Sequence, residues 1–373
     1  MIAAGGTAGH VVPALAVADA LRARGADVEF IGGERAEAEL VPAAGYPFHR
    51  LRVEGIARDD PLRALRAGLL AALAVPRARR LLRRLGADAV LGGGGYVAGP
   101  VGLAARSLRL PLVLTEADSH LGMANRMLAP LAARVFLAFP FEGGKPPSNG
   151  AFGRPRAPKR RIEGREGSRW VVSGRPVPAG TGAADRAAAR ERFGIGAGEA
   201  CVLVFGGSLG AHRLNNAALD AFGTAAPGAV LHASGRRDHD GLSRRLEALG
   251  SPPHYHLHPY IEPFADALAA ADLAVARAGG GVQELLVAGL PAVLVPYPHA
   301  TADHQVKNAR WAERAGAAVV VPDDELDGPR LAREVAALLG SPQRMAEMAN
   351  AAAAAARPDA AERIAEELLR LAA

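Results

Sequence analysis

The sequence predicts an α/β protein built from two parallel-sheet domains, and three observations carry that prediction. Short apolar runs alternate with helical patterns along the whole chain. Two glycine-rich elbows, Gly5-Gly6-Thr7-Ala8-Gly9-His10 and Gly206-Gly207-Ser208-Leu209-Gly210-Ala211, stand about 200 residues apart. Small residues of this kind suit a sharp turn from strand to helix. They let main-chain amides approach an anion, and the helix start behind them favours negative charge. Finally, 373 residues are enough for two domains, each with its own core.

In the first half the strand-like runs are 28–31, 89–91, 112–114 and 135–137, with helical patterns such as 11–24 and 100–107 between them. In the second half the runs are 201–205, 229–233, 273–276, 292–295 and 318–321. Continuous apolar runs fit strands covered on both faces, as in parallel sheets. Such sheets bind ligands beyond the carboxyl ends of their strands, where both elbows fall. The stretch 143–182 is rich in Pro, Gly and Arg, with one β-like piece at 170–173, and reads as the crossing between domains. The expected first domain is therefore 1–176, joined by a helical C-terminal stretch 342–373, and the second is 177–341.

Half of the residues are hydrophobic, 5% are aromatic, and the formal charge is +6. The single cysteine, Cys201, sits in a strand-like run and reads as a small core residue. It excludes a disulfide framework and fits a reducing compartment. There is no charged leader with a cleavage site, and the longest strongly apolar stretch, 68–75, falls far short of the ~20 residues of a membrane span. A soluble or peripheral protein is expected.

The positive charge is uneven. Between Leu62 and Leu85 there are seven arginines (63, 66, 77, 79, 80, 83 and 84) and no acid. Leu62, Leu65, Leu69 and Leu73 recur there at helical spacing, and Pro76 is expected to split the segment into two helices. Two roles stay open for it. A basic amphipathic helix lies well on anionic lipid. An ordinary helix would instead pack its leucines on a sheet and show its arginines to water.

Several loops carry residues suited to chemistry. The spacing of Gly5 to His10 matches neither the dinucleotide nor the Walker fingerprint, which argues against nicotinamide or ATP. His10, at the helix start, is suited to accept a proton. The loop Gly93-Gly94-Gly95-Tyr96 precedes another helix and suits either a diphosphate or a tight structural turn. Glu116, Asp118, His120 and Asn125 follow a strand-like run, so a carboxylate there is placed to orient a sugar hydroxyl or act as a base. Helix capping is the other role open to Asp118. The turn Arg277-Ala278-Gly279-Gly280-Gly281 offers amides to a second phosphate, with Glu284 either at a ribose or in solvent. After Pro296-Tyr297-Pro298, the residues His304, Gln305 and Asn308 fit one side of a helix, and their amide and imidazole groups suit sugar hydroxyls. The histidine spacing matches no compact zinc site.

These motifs together resemble the MurG family, bacterial cell-wall glycosyltransferases of the GT-B, family 28 type. The resemblance rests on Gly5 to His10 with Pro13, Gly94-Gly95-Tyr96 with Gly99-Pro100, Gly206 to Ala211 with Asn215, and Ala288-Gly289-Leu290-Pro291 through His304-Gln305. It spans essentially the whole chain. It implies two Rossmann-like domains facing a cleft. It further implies an inverting transfer of N-acetylglucosamine from UDP-GlcNAc to the 4-hydroxyl of undecaprenyl-diphospho-muramoyl-pentapeptide, with no metal and no cofactor. The place would be the anionic inner leaflet of the plasma membrane, among other cell-wall synthesis proteins. Nucleic acid is not an expected partner.

By the same resemblance, Thr7, Ala8 and Gly9 line the donor site beside the sugar, and Gly207 and Ser208 meet the donor diphosphate. Ile261 contacts uracil through its backbone. Gly279, Gly280, Gly281, Val282 and Gln283 serve a phosphate, Glu284 the ribose, and His304 and Gln305 the GlcNAc hydroxyls. Gly94, Gly95 and Tyr96 would take the acceptor diphosphate. Leu69, Leu73, Arg77 and Arg80 fall in the family's membrane patch, which favours the lipid-surface role for 62–85. His10 is the expected base, with Asp118 and Glu116 as rivals. The chain departs from the family at Asp118, where asparagine is usual, and at Pro178, where a donor-site arginine is usual. Arg175, three residues earlier, is a candidate replacement. The turn at Gly279 is one residue shorter than usual. Two other functions share the fold: a UDP-GlcNAc 2-epimerase and a non-catalytic nucleotide-sugar-binding protein.

Overall fold

Residues 1–55, 60–141, 168–207 and 211–373 are described by the structure, a computed structural model. They divide into two units, Met1–Ala179 with Arg357–Ala373, and Gly180–Ala356. The closing helical stretch consists of two helices that part company. Pro342–Ala355 belongs to the second unit and Ala360–Ala372 to the first, whereas the sequence reading joins all of 342–373 to the first.

The first unit holds seven strands: β1 (Ile2–Ala3), β2 (Phe30–Gly32), β3 (Phe48–Arg50), β4 (Val90–Gly92), β5 (Leu112–Glu116), β6 (Arg134–Leu137) and β7 (Trp170–Val172). All pair in parallel, in the order β3-β2-β1-β4-β5-β6-β7. Side chains alternate between the faces, as a pleated strand requires. Ile2, Phe30, Leu91, Val113 and Phe136 enter one core with α1 (Ala8–Arg22) and the C-terminal helix Ala360–Ala372. Ala3, Ile31, Val90, Leu112, Leu114 and Leu137 enter the other, with α3 (Pro61–Arg84), α4 (Ala98–Ser107) and α5 (Met123–Leu128). Helix α2 (Ala36–Ala43) links β2 to β3.

Helix α3 corrects two expectations. It runs unbroken through Pro76. Proline removes a helical hydrogen bond, yet Ala67 and Ala74 before it and Ala78 and Leu82 after it are all buried on one face, which holds both halves in line. The start is fixed by Asp60, whose carboxylate accepts from the Leu62 and Arg63 amides. The packed face is this alanine stripe and not the leucines. Leu62, Leu65, Leu69 and Leu73 are 79%, 73%, 61% and 50% exposed.

The second unit repeats the plan with β8 (Cys201–Phe205), β9 (Ala229–Ala233), β10 (Tyr255–His258), β11 (Leu273–Ala276), β12 (Ala292–Leu294) and β13 (Ala318–Val320). The order is β10-β9-β8-β11-β12-β13, again all parallel. Helices α6 (Arg186–Arg192), α9 (Phe264–Ala270), α10 (Gly281–Val287), α11 (His304–Arg314) and α13 (Pro342–Ala355) cover one face. Helices α7 (His212–Phe222), α8 (Arg236–Ala248) and α12 (Gly328–Leu339) cover the other. Cys201 is fully buried, and burial pushes its thiol up to about 12, consistent with a core role. In each sheet the strand order reverses beside the first strand, between β1 and β4 and between β8 and β11. The loops after these four strands stand at the switch point of each sheet, the place where parallel α/β sheets bind ligands.

Candidate active site

In the first unit the loops after β1 and β4 are packed main chain to main chain. Gly95 has φ +77°, and a Cβ built on it would stand 1.8 Å from the Gly5 carbonyl oxygen. Gly94 has φ +93°, and its Cβ would meet the His10 ring at 2.6 Å. Only glycine fits at either place. His10 thus lies against Gly94, with the Thr7 hydroxyl 3.5 Å from its Nδ1. Thr7 is the N-cap of α1 and is exposed, and Ala8, Gly9 and His10 form its half-buried first turn.

A carboxylate that sequence reasoning missed holds these loops. Glu37 is fully buried and accepts three hydrogen bonds, from the Gly6 amide (2.8 Å), the Gly33 amide (2.9 Å) and the Tyr96 hydroxyl (2.7 Å). Burial pushes its pKa up, but the bonds from Tyr96, Gly6 and Gly33 outweigh it and keep the group below its ordinary value. Burial, then Glu37 itself, push the Tyr96 hydroxyl up, so it stays a donor. The sequence alone gives it the look of a surface carboxylate. Glu37 stands one turn before the buried Val41 on a short helix entered from Gly32-Gly33, a carboxylate on an apolar stripe.

Glu116, at the end of β5, is 6% exposed. It accepts from the Gly122 amide (2.8 Å) and from Asn125 Nδ2 (3.0 Å), while the Asp118 amide lies 3.4 Å away. Burial pushes its pKa up to about 7 despite these bonds. Asp118 is half-buried and follows it in the loop. Arg175 is 8% exposed and donates from Nη2 to the Gly9 carbonyl at 3.0 Å. It lies in the first unit, beside the turn that carries Thr7, Ala8 and Gly9.

In the second unit Gly206 and Gly207 follow β8, but Ser208, Leu209 and Gly210 lie outside the described residues. The neighbouring loop after β11 brings Gly279 and Gly280 to the start of α10. Gly281 stacks on the Phe205 ring, where a Cβ would meet it at 2.7 Å. Val282 and Gln283 are buried in the first turn, and Glu284 follows on the half-buried side. Burial, then Glu262 and Glu284, push the Tyr260 hydroxyl up. The Ile261 side chain is buried in the core and anchors the 260–263 turn.

Gln305 sits beside Gly279 and accepts from the Tyr297 amide at 2.9 Å. His304 Nδ1 lies 2.8 Å from the Thr301 carbonyl, which can only accept, so the proton is on Nδ1. Ala302 and Asp303 just before it both have positive φ, a strained pair that starts α11 abruptly. Asn308, one turn after His304 on α11, is buried and donates to the Ala278 carbonyl at 3.1 Å. Arg277 is a further residue that sequence reasoning did not single out. Its guanidinium reaches Asp323 and the Val295 carbonyl, which ties together the loops after β11 and β12. The loops of the second unit thus bring Gly207, Gly279 to Glu284 and Gln305 to the carboxyl ends of its central strands.

The exposed leucines of α3 are joined by exposed Leu103, Met123, Met127 and Leu131 on α4, α5 and the turn that follows. Arg79 is used within the fold, donating to the Ser107 carbonyl at 2.8 Å. Among the described residues no helix is long and apolar enough to cross a membrane. Nor does any group of three or more His, Cys, Asp or Glu among them stand together to hold a metal ion.

Two family models match the chain. Residues 1–137 match the glycosyltransferase family 28 N-terminal domain, and residues 201–364 match the family 28 C-terminal domain. The UDP-N-acetylglucosamine–N-acetylmuramyl-(pentapeptide) pyrophosphoryl-undecaprenol N-acetylglucosamine transferase of Acidithiobacillus ferrooxidans is 41% identical over 370 residues. That alignment covers 98% of this chain and 95% of that protein. The crystal structure of Acinetobacter baumannii MurG aligns with TM-score 0.72 and 31% identity over 99% of this chain and 98% of that one. A UDP-GlcNAc 2-epimerase from Neisseria meningitidis aligns with TM-score 0.66 over 99% of each chain, but at 14% identity that is a likeness of fold alone.

Proposed function

The chain belongs to glycosyltransferase family 28, and from that membership we propose that it is an inverting N-acetylglucosaminyltransferase of GT-B type. It moves N-acetylglucosamine from UDP-GlcNAc to the 4-hydroxyl of undecaprenyl-diphospho-muramoyl-pentapeptide, giving the β-1,4-linked disaccharide precursor of peptidoglycan. The observation that carries this is the 41% identity over 98% of the chain to a transferase named for those substrates.

The chemistry follows from the loops. The acceptor 4-hydroxyl attacks the anomeric carbon from the face opposite the phosphate. A carbon–oxygen bond forms there as the bond to the UDP oxygen breaks, and negative charge grows on the leaving diphosphate. Main-chain amides at Gly207, Gly279, Gly280, Gly281 and Val282 offer fixed donors to that charge, with Gln283 beside them. Glu284 holds the ribose, Ile261 presents its main chain to uracil, and His304 and Gln305 take the sugar hydroxyls. In the first unit Thr7, Ala8 and Gly9 lie beside the sugar, and Gly94, Gly95 and Tyr96 take the acceptor diphosphate. His10 removes the hydroxyl proton. This requires the tautomer in which Nδ1–H faces the Thr7 hydroxyl, 3.5 Å away, and the lone pair is on Nε2. Glu116 is a weaker candidate because its oxygens already serve Gly122 and Asn125. Asp118 remains the rival, and Arg175 a candidate donor contact.

Helix α3 supplies the membrane face in this proposal. Its exposed leucines, Leu69 and Leu73 among them, enter the anionic inner leaflet while Arg77 and Arg80 meet headgroups. Peripheral attachment there brings the enzyme to its lipid-linked acceptor and to other cell-wall synthesis proteins.

The test is transfer of radiolabelled N-acetylglucosamine from UDP-GlcNAc to a short-chain analogue of the lipid-linked acceptor. One UDP should be released per disaccharide formed. Binding of UDP-GlcNAc without transfer would favour a sensor, and conversion of the donor alone to its 2-epimer would favour an epimerase.

A further inference from the structure

We propose that Glu37 is the positioning residue of the acceptor loop, acting through Tyr96. The proposal rests on the functional reading above, in which Gly94, Gly95 and Tyr96 bind the acceptor diphosphate. Three strand-to-helix turns meet at this one carboxylate. Oε2 accepts from the Gly6 amide, after β1, and Oε1 accepts from the Gly33 amide, after β2, and from the Tyr96 hydroxyl, after β4. No solvent reaches Glu37, so these three donors have no substitute for it.

The fit around the carboxylate is tight. A Cβ on Gly33 would stand 2.0 Å from the Tyr96 hydroxyl oxygen, and one on Gly5 would stand 2.8 Å from Glu37 Oε1. Arg35 lies over the Tyr96 ring at 5.2 Å. Tyr96 therefore has its hydroxyl held by Glu37 and one face of its ring covered by a cation. The loop that carries it, Gly94-Gly95, is the surface against which His10 rests. Moving Tyr96 moves the diphosphate loop relative to the proposed base. Misplacement on the ångström scale is costly in an oriented reaction. Glu37 touches neither substrate in this account. It sets where the loop stands.

The test uses the full chain and four proteins: unaltered, Glu37→Gln, Tyr96→Phe and the double variant. Glutamine keeps the volume but presents an amide to one of the three donors. The expected result for Glu37→Gln is a loss of about tenfold or more in kcat/KM for the lipid-linked acceptor. The affinity for UDP should stay within about twofold, because the loops assigned to its diphosphate, ribose and uracil lie in the other unit. The double variant should be no worse than the poorer single variant by more than about twofold, since both changes break one interaction. Acceptor kcat/KM within twofold of the unaltered chain, or losses that multiply in the double variant, would overturn the proposal. If Glu37→Gln does not fold, Tyr96→Phe decides, because it keeps the ring and deletes only the bond. An unchanged acceptor kcat/KM there overturns the proposal, and a loss of about fivefold or more supports it. Absence of transfer by the unaltered chain would bring down the functional reading and this proposal together. Transfer with Glu37→Gln unaffected brings down the proposal alone.

Discussion

Arg175 donates a hydrogen bond to the carbonyl of Gly9, 3.0 Å away, at a position where helix α1 cannot supply its own donor. The residue one turn on is Pro13, which has no N–H to give back to Gly9. The guanidinium fills that gap at the turn that carries Thr7, Ala8 and Gly9. Arg175→Ala should cost about 1.5–3 kcal/mol, the worth of a buried bond to a charged group. Thermal unfolding should fall by roughly 2–4 °C per kcal/mol. The loss should shrink in a Pro13→Ala background, where the main chain regains an N–H that can donate to Gly9 instead. UDP affinity should hold within about twofold. A large drop in UDP affinity with an unchanged melting temperature would instead make Arg175 the stand-in for the arginine that Pro178 displaces.

Glu116 should give the protein a pH-dependent stability of unusual sign. Its folded pKa is raised by burial to about 7 from the ordinary 4.5. Between those values the unfolded chain has lost the proton and the folded chain keeps it. The contribution of this group therefore declines as pH rises through that window and is flat above it. The full span is on the order of 3 kcal/mol. Glu116→Gln, which is neutral throughout and can still accept from Gly122 and Asn125, should match the unaltered protein near pH 4.5 and exceed it at pH 8. Denaturant unfolding of both proteins across that range checks this. A difference independent of pH would refute it.

Most of the central strands were legible because they are buried on both faces and read as unbroken apolar runs. The strands without that signature were not. β3 and β10 are sheet edges, and Phe-His-Arg and Tyr-His-Leu-His mix polar residues into them because one side has no neighbour to bury. β1 is two residues long, too short for any pattern. The glycine loops were legible because positive φ and close approach leave few residue choices. Glu37 was not, because a carboxylate among Ala and Leu on a short helix reads as surface until three amide and hydroxyl donors are seen around it. The leucines of α3 had the right spacing, but spacing alone does not say which face packs. Alanines 67, 74 and 78 allow closer approach to α4 and took that face.

Gly95 tests whether the two loops of the first unit must touch. Alanine there would place a Cβ 1.8 Å from the Gly5 carbonyl and force a residue other than glycine to φ +77°. Neither can be relieved by rotating a side chain, because the obstacle is main chain. Gly95→Ala should lose stability by more than about 2 kcal/mol and reduce transfer more than UDP binding. An alanine variant with unaltered turnover would show that the loops can separate without consequence. Gly99→Ala, with open space at its Cβ, is the matched control.

His10 is the group proposed to take the acceptor proton, and its removal should be felt in the chemical step. His10→Ala should lower kcat by about 10²–10⁴-fold while UDP affinity changes little. Parallel measurement on Asp118→Asn separates the rivals, because the family commonly carries asparagine there and the substitution should be tolerated. Near-normal turnover in His10→Ala with a severe loss in Asp118→Asn would move the base to Asp118.

The α3 surface offers a sharper contrast, because its polar and apolar residues can be changed without touching the core. Leu65, Leu69 and Leu73 are exposed, so replacing all three with serine should shift folded stability by no more than about 0.5 kcal/mol per site. The same variant should lose binding to vesicles that contain anionic lipid. Replacing Arg77 and Arg80 with glutamine should weaken that binding by about 2 kcal/mol, or roughly 30-fold, since each basic residue near the surface contributes about 1 kcal/mol. Added salt should weaken the unaltered protein more than the arginine variant, because screening acts on the charge that the variant lacks. Ala74→Leu does the reverse. Ala74 is fully buried against α4, and the added volume should cost about 1–3 kcal/mol of stability. Vesicle sedimentation alongside thermal unfolding reads both properties. Destabilisation by the serine variant would mean that the leucines pack against protein, and equal vesicle binding by all variants would remove α3 from the membrane.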